Sequence, residues 1–193
     1  MDVSFEPFRL AHLGAVARLF HRQLPPVSWR EVAYHLSRRK GIRVAMTEGK
    51  VVGFYLAVWA SGNEGLWLDY IAVDTARVKT GIGRKLVGDL ERSASGVGFP
   101  IIQLSANIGN FVAIRFYERE GYQSSTITSD PTRIIFGKKL APELRFREQD
   151  AKEMFGSFEA CGRSHRLALM ARRLLMTAWI LVVSRNASTK RVT

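Results

Sequence analysis

Two glycines one residue apart, Gly81 and Gly83, with Lys79, Arg84 and Lys85 beside them, are the residues of this chain whose types and spacing point most directly to chemistry. They stand in DTARVKTGIGRKL, residues 74–86, between an extended apolar run and a stretch with helical periodicity. A strand that ends at a glycine-rich turn and feeds a helix gathers unpaired backbone N–H groups and the positive helix terminus at one point. Such a point binds anions, phosphates above all. Gly81 and Gly83 let the backbone approach a ligand closely, while the three cations add positive charge. The dinucleotide fingerprint needs a third glycine and the nucleoside-triphosphate loop needs Gly-Lys-Ser/Thr; neither is present, so a different phosphate-bearing ligand is indicated. Asn110 and Tyr117, seven residues apart in NIGNFVAIRFYEREGY, share one helix face with Ile114. His12, His21, His35 and His165 show no ligand spacing, and no metal chemistry is expected.

The elements that must position these residues can be read from periodicity and turn chemistry. VSFEPFRL alternates loosely as a first strand, and Leu13, Val16, Leu19 and Phe20 recur at helical spacing before Pro25-Pro26 stops that helix. Ser28-Trp29-Arg30-Glu31 fits a capping box and predicts a second helix to about Arg39. Residues 42–74 give three extended runs separated by turns at 48–50 and 61–65, an antiparallel meander. After the glycine loop, Leu86, Val87 and Leu90 form an amphipathic stripe, and IIQLSA supplies a short apolar strand. A helix opens at the capping residue Asn110 and closes on Gly121; SSTIT and TRIIFGKKL complete the sheet. The order is β-α-α-β-β-β-α-β-α-β-β, an α/β class chain with a mixed sheet, helices on both faces and right-handed crossovers.

Length and composition bound the rest. The 193 residues suit one domain with an appendage, and 47% hydrophobic with 24% charged residues is a globular composition. The net charge of +12 divides evenly: residues 1–150 hold 21 Lys+Arg against 15 Asp+Glu, and the last 43 residues hold 8 against 2. The tail is thus the more basic part per residue, which sets a boundary near residues 141–150. A cationic body attracts nucleic acid, acidic lipid and phosphorylated small molecules alike. No basic stripe with interleaved aromatic residues and no helix-turn-helix signature appears, so nucleic acid is not the expected partner. The single cysteine, Cys161, cannot form an intrachain disulfide, and Asp2, Glu6 and Arg9 interrupt any secretory core. Both features predict a cytoplasmic protein.

LDYIAVDTARVKTGIGRKLVGDLE followed by LSANIGNFVAIRFYEREGYQ resembles the two central motifs of the GNAT superfamily, the acetyl-coenzyme A-dependent N-acyltransferases. The resemblance covers about residues 3–140 and implies a GNAT-like fold whose central sheet is mostly antiparallel. It assigns residues 1–142 to an N-acetyltransferase domain and residues 143–193 to a basic C-terminal extension. It implies acetyl-coenzyme A as co-substrate and a primary amine of a small molecule or protein as acceptor. In that frame Val78, Lys79, Thr80, Gly81, Ile82, Gly83 and Arg84 hold the coenzyme pyrophosphate through backbone amides. Ile71, Ala72 and Val73 splay from their neighbour and bond the pantetheine arm, and Asn110 matches the later motif. One departure is Val78, where the family commonly has Gln or Arg.

Acyl transfer to an amine needs a neutral nucleophile, a stabilised oxyanion and a proton for the leaving thiolate, with no covalent enzyme intermediate. The resemblance offers Tyr117 as general acid and a backbone N–H near Ala72 or Val73 as oxyanion donor. Asp69, four residues before Val73, corresponds to an acidic position that serves as base in some polyamine-acetylating relatives. Glu64 is the second candidate, and a water relay is the third. The segment around Trp29 and Tyr34 and the loop at 61–65 flank the acyl end and are expected to select the acceptor. The alternative function is a catalytically weak, coenzyme A thioester-binding or interaction module. In the tail, RLALMARRLLMTAWILVVSRN (166–186) is basic and apolar but too short in its uncharged run to span a bilayer. It reads as a helix or strand packed on the body or on another copy of the chain, as a helix on an anionic membrane, or as a disordered segment.

Overall fold

The computed structural model describes residues 2–23, 41–60, 65–127, 131–141, 144–155 and 157–158. The helix read over 28–39, the turn at 61–64, Trp29, Tyr34, Glu64, Cys161 and the tail at 166–186 lie outside the described residues.

Strand β1 (Ser4–Pro7) pairs antiparallel with β2 (Ile42–Thr47), and between them lies helix α1 (Leu13–Gln23). The turn Glu48-Gly49, with φ of 50° and 71°, is the left-handed two-residue type that matches strand twist, and it returns the chain as β3 (Lys50–Ala60). Antiparallel to β3 runs β4 (Gly65–Val73), completing the meander. Helix α2 (Ile82–Val97) then leads to β5 (Ile101–Asn107), helix α3 (Phe111–Arg119) and the hairpin β6 (Gln123–Ile127) and β7 (Arg133–Lys139). Across the sheet the order is β1-β2-β3-β4-β5-β7-β6. Every junction on that path is antiparallel except β4 with β5.

Both faces of the sheet are covered because β3 alternates apolar residues without a polar side. Phe54, Leu56 and Val58 pack with Val16, Leu19 and Phe20 of α1, whereas Tyr55, Ala57 and Trp59 pack with Leu86, Leu90 and Ala94 of α2. Each fully buried Leu or Phe in these layers contributes about 2 kcal/mol of transfer free energy. The short β8 (Ser157–Phe158) pairs parallel with the end of β3 within the sheet, and helix α4 (Glu148–Phe155), which buries Ala151 and Phe155, extends the α2 side. Phe146, Phe99, Trp59 and Phe155 form an aromatic cluster there, with ring centroids 5.0 to 5.9 Å apart. Residues 144–158, the start of the extension, were not read as ordered elements in the sequence. Phe146, Ala151 and Phe155 pack into the same core as the domain, while Leu144 and Met154 stay exposed.

Two features of β4 shape what lies beside it. Its pairing with β5 ends at Leu68 with Leu104, although β4 continues to Val73 and β5 to Asn107. β5 pairs with β7 over its whole length instead, so a gap opens between β4 and β5 from residue 69 onward. In the β3 ladder, Leu56 faces Tyr70 but Ala57 faces Leu68, which makes Asp69 an inserted residue, a β-bulge. The bulge reverses the parity of the strand. Before it, Leu66 and Leu68 pack on the α2 side and Trp67 on the α1 side; after it, Ile71 and Val73 take the α2 side, and Tyr70 and Ala72 the α1 side.

Candidate active site

The gap between β4 and β5 is a cleft lined by Asp69, Tyr70 and Ile71 from one strand, Ser105 and Asn107 from the other, and Tyr117 from α3. The bulge explains the position of Asp69: an extra residue in the strand turns a side chain away from the regular alternation at the point where pairing stops. Beyond Leu68, the β5-facing backbone edge of residues 70–73 is not taken up by β5, while the other edge stays in the β3 ladder. Ile71, Ala72 and Val73 therefore lie on an edge that an extended ligand can pair with. Leu68 and Leu104 form the floor of the cleft.

Tyr117 is 6% exposed and sits among the rings of Phe116, Tyr122 and Phe136. Burial raises its pKa above the ordinary phenol value, because an apolar surrounding disfavours the charged form. The side chain is thus a protonated phenol across the physiological range. Asn110 is buried and caps α3 through Oδ1, which accepts a hydrogen bond from Ala113 N at 3.1 Å. Its Nδ2 is buried with no hydrogen-bond partner among the described residues. A buried donor left in that state costs about 1–3 kcal/mol, which a ligand carbonyl would offset.

At the far end of β4 the chain forms a tight, self-bonded loop. Asp74 Oδ1 accepts from Ala76 N at 3.1 Å, Arg77 N donates to Asp74 O at 2.8 Å, and Thr80 Oγ1 donates to Arg77 O at 2.6 Å. Lys79 and Gly81 have φ of 66° and 84°, so the loop turns through two left-handed residues before α2 begins. Lys85 N is bonded to Gly81 O, and the amides of residues 82–84 precede that first helical bond. They point out of the helix end, an arrangement that favours an anion.

The two glycines differ in what the protein requires of them. A Cβ at Gly81 would meet nothing within 4 Å, but its φ of 84° disfavours every L side chain. Gly83 has no such φ, and a Cβ there would stand 3.6 Å from the Phe116 ring, an ordinary contact. The fold itself places no demand for glycine at 83. Arg84, read from the sequence as a charge for the ligand, directs Nε to Glu120 Oε1 at 3.0 Å and ties the start of α2 to the end of α3; Val78, the departure from the family pattern, is 54% exposed.

Sequence reading did not single out Tyr70, Ser105, Asn107 or Arg133, which also line the cleft. The signal for Arg133 was there, a cation opening the otherwise apolar strand RIIF, but only the β5–β7 register brings it opposite Asn107.

A family model described as the acetyltransferase (GNAT) family matches residues 14–122. Among solved structures, the ribosomal-protein-S18-alanine N-acetyltransferase of Escherichia coli is 22% identical, with a TM-score of 0.62 over 75% of this chain and 100% of that one. The PaiA N-acetyltransferase of Thermoplasma acidophilum, solved in complex with coenzyme A, is 17% identical, with a TM-score of 0.58 over 72% and 99%. YncA from Salmonella typhimurium, solved with acetyl-coenzyme A, is 16% identical, with a TM-score of 0.60 over 77% and 99%. At these identities the likeness is one of fold. No curated protein matches the sequence.

Proposed function

The chain belongs to the GNAT acetyltransferase family, and from that premise we propose that it transfers the acetyl group of acetyl-coenzyme A to a primary amine by direct attack. The observation that supports this reading is the cleft opened by the early end of β4–β5 pairing, whose lining includes both Asp69 and Tyr117. Acetyl-coenzyme A supplies an activated thioester carbonyl when bound. The amides of residues 82–84 would cradle its pyrophosphate, the β5-facing edge of Ile71–Val73 would hold its pantetheine arm, and Asn110 Nδ2 a carbonyl of that arm.

The chemical roles follow from position. The amine nitrogen forms a bond to the carbonyl carbon as the carbon–sulfur bond breaks; one amine proton passes to Asp69, directly or through water, and Tyr117 O–H protonates the departing sulfur. A backbone N–H at Ala72 or Val73 would receive the developing oxyanion. Burial that raises the Tyr117 pKa would act on a thiol in the same cleft too, so the match between donor and leaving group survives desolvation.

Calorimetric titration with acetyl-coenzyme A and a coenzyme A release assay with amines test the reading. Tyr117→Phe is expected to bind the coenzyme as the parent does and to lose on the order of 10²-fold in kcat. Absence of coenzyme binding by the parent protein would sink the proposal.

A further inference from the structure

Nine residues line the cleft, and among them one is acidic, Asp69, and one is basic, Arg133. Arg133 is half-buried at the start of β7, and its Nη2 donates to Ser105 O at 3.1 Å and to Ser105 Oγ at 3.0 Å. These two bonds lay the guanidinium against β5 in a fixed orientation. Holding the strands together does not require them, because backbone register pairs β5 with β7 from Ile101 with Lys139 to Asn107 with Arg133. A guanidinium drawn partly out of water at a cleft wall is costly in a purely structural role that an amide could fill.

We infer that the acceptor is an amine that also carries a carboxylate near the reacting nitrogen, and that Arg133 is the residue that selects it. The inference rests on the acetyl-transfer reading of the site and deepens it. With Nη2 turned to Ser105, Arg133 keeps its positive charge at the cleft wall, where a carboxylate is drawn by a charge-assisted hydrogen bond rather than by a paired fork. With Asp69 contributed by β4, the cleft offers one negative and one positive group to an acceptor with one positive and one negative group. A diamine would bring two cations to a cleft holding one carboxylate and one guanidinium, and like charges at close range are disfavoured. A simple amine would meet Asp69 and draw nothing from Arg133. The shared chemistry, an amine beside a carboxylate, is found in a free amino acid and in a peptide N-terminus followed by Asp or Glu.

The experiment measures coenzyme A release with full-length protein, acetyl-coenzyme A and four acceptor sets: free amino acids, the matching amino-acid amides, aliphatic diamines, and tripeptides with Asp or Glu in second place. Carboxylate-bearing acceptors are expected to exceed their amides by about 10- to 100-fold in kcat/KM, the range of a charge-assisted hydrogen bond. Free amino acids leading the tripeptides, or the reverse, would each support the inference and name the source. Arg133→Met should raise KM for carboxylate-bearing acceptors about 10-fold or more, with kcat held within about two-fold, and erase the preference over amides. Arg133→Lys should restore part of it. Equal use of acids and amides, or preference for diamines, overturns the inference and leaves acetyl transfer in place. So does a loss in Arg133→Met that falls equally on every acceptor, the mark of a structural role. Coenzyme binding without turnover of any carboxylate-bearing amine also overturns it, and failure of both binding and turnover overturns the acetyl-transfer reading as well. The comparison among acceptors uses the parent protein alone, so it stands even where a variant does not fold.

Discussion

At the scale of single residues, Gly81 and Gly83 separate two reasons for glycine that look alike in the sequence. Gly81 is bound by backbone conformation, and Gly81→Ala should destabilise the fold by about 1–2 kcal/mol through its φ of 84°. Gly83 lies within α2 with room for a methyl group, so Gly83→Ala should raise stability by up to about 1 kcal/mol through helix propensity. If backbone approach by a pyrophosphate is the reason for glycine at 83, the same variant should bind acetyl-coenzyme A more weakly. Urea unfolding and titration calorimetry on one sample would show stability and affinity moving in opposite directions; unchanged affinity would remove Gly83 from the cradle. That both glycines mattered could be read from the sequence. Which constraint each obeyed could not, because φ and the distance to Phe116 depend on how α2 lies against α3.

At the scale of elements, the cradle is only as well placed as α2. Hydrophobic packing fixes its distance from the sheet, and a polar contact fixes its rotation: Asp89, 6% exposed, meets Arg43 Nε of β2 at 2.8 Å and accepts from Tyr55 Oη at 3.1 Å. Asp89→Ala would leave a half-buried guanidinium and a buried phenol facing an apolar gap. Denaturant unfolding should show a loss of about 3 kcal/mol, near the low end for a broken buried pair because Arg43 keeps some solvent contact. Asp89→Asn should recover part of the loss by keeping the hydrogen bond to Tyr55. In the sequence, Asp89 read as one polar residue on an amphipathic helix. Its partners are 34 and 46 residues away in the chain, and no local pattern announces them.

At the scale of the whole molecule, the order of the described elements up to β7, the meander and the family were legible because each rests on local signals: turn residues at 48–49, a cap at Asn110, a left-handed Gly121. The splay of Ile71–Val73 was implied by the family resemblance alone, since LWLDYIAV reads as one strand and only pairing shows that β5 leaves it after Leu68. Helix α4 was not legible, because its sequence EQDAKEMF shows few apolar positions until Phe99 and Phe146 supply their partners. Three tyrosines buried in the assembled core give the molecule a shared alkaline limit. Tyr55, Tyr117 and Tyr122 have pKa values raised chiefly by desolvation, with Asp89 adding to the first and Glu91 to the third. Below about pH 10 they are protonated folded or unfolded and contribute no slope; above it the unfolded chain releases protons that the folded one retains. Stability should therefore fall as pH rises past about 10, and a series of melting curves from pH 8 to 11 would show it as a falling Tm; a flat profile would mean these phenols titrate normally when folded. The parity switch at Asp69 carries one more consequence, for how this chain tolerates change. Exchange of residue 69 for another polar residue alters one side chain at the edge of a cleft. Its loss would join Leu68 directly to Tyr70 and restore plain alternation, with both halves of β4 keeping the layers they already face. Loss of a residue from the regular stretch on either side would instead turn part of the strand over. A mutational scan that samples deletions along β4 should therefore find position 69 the place where folding survives a loss, at the expense of the carboxylate in the cleft.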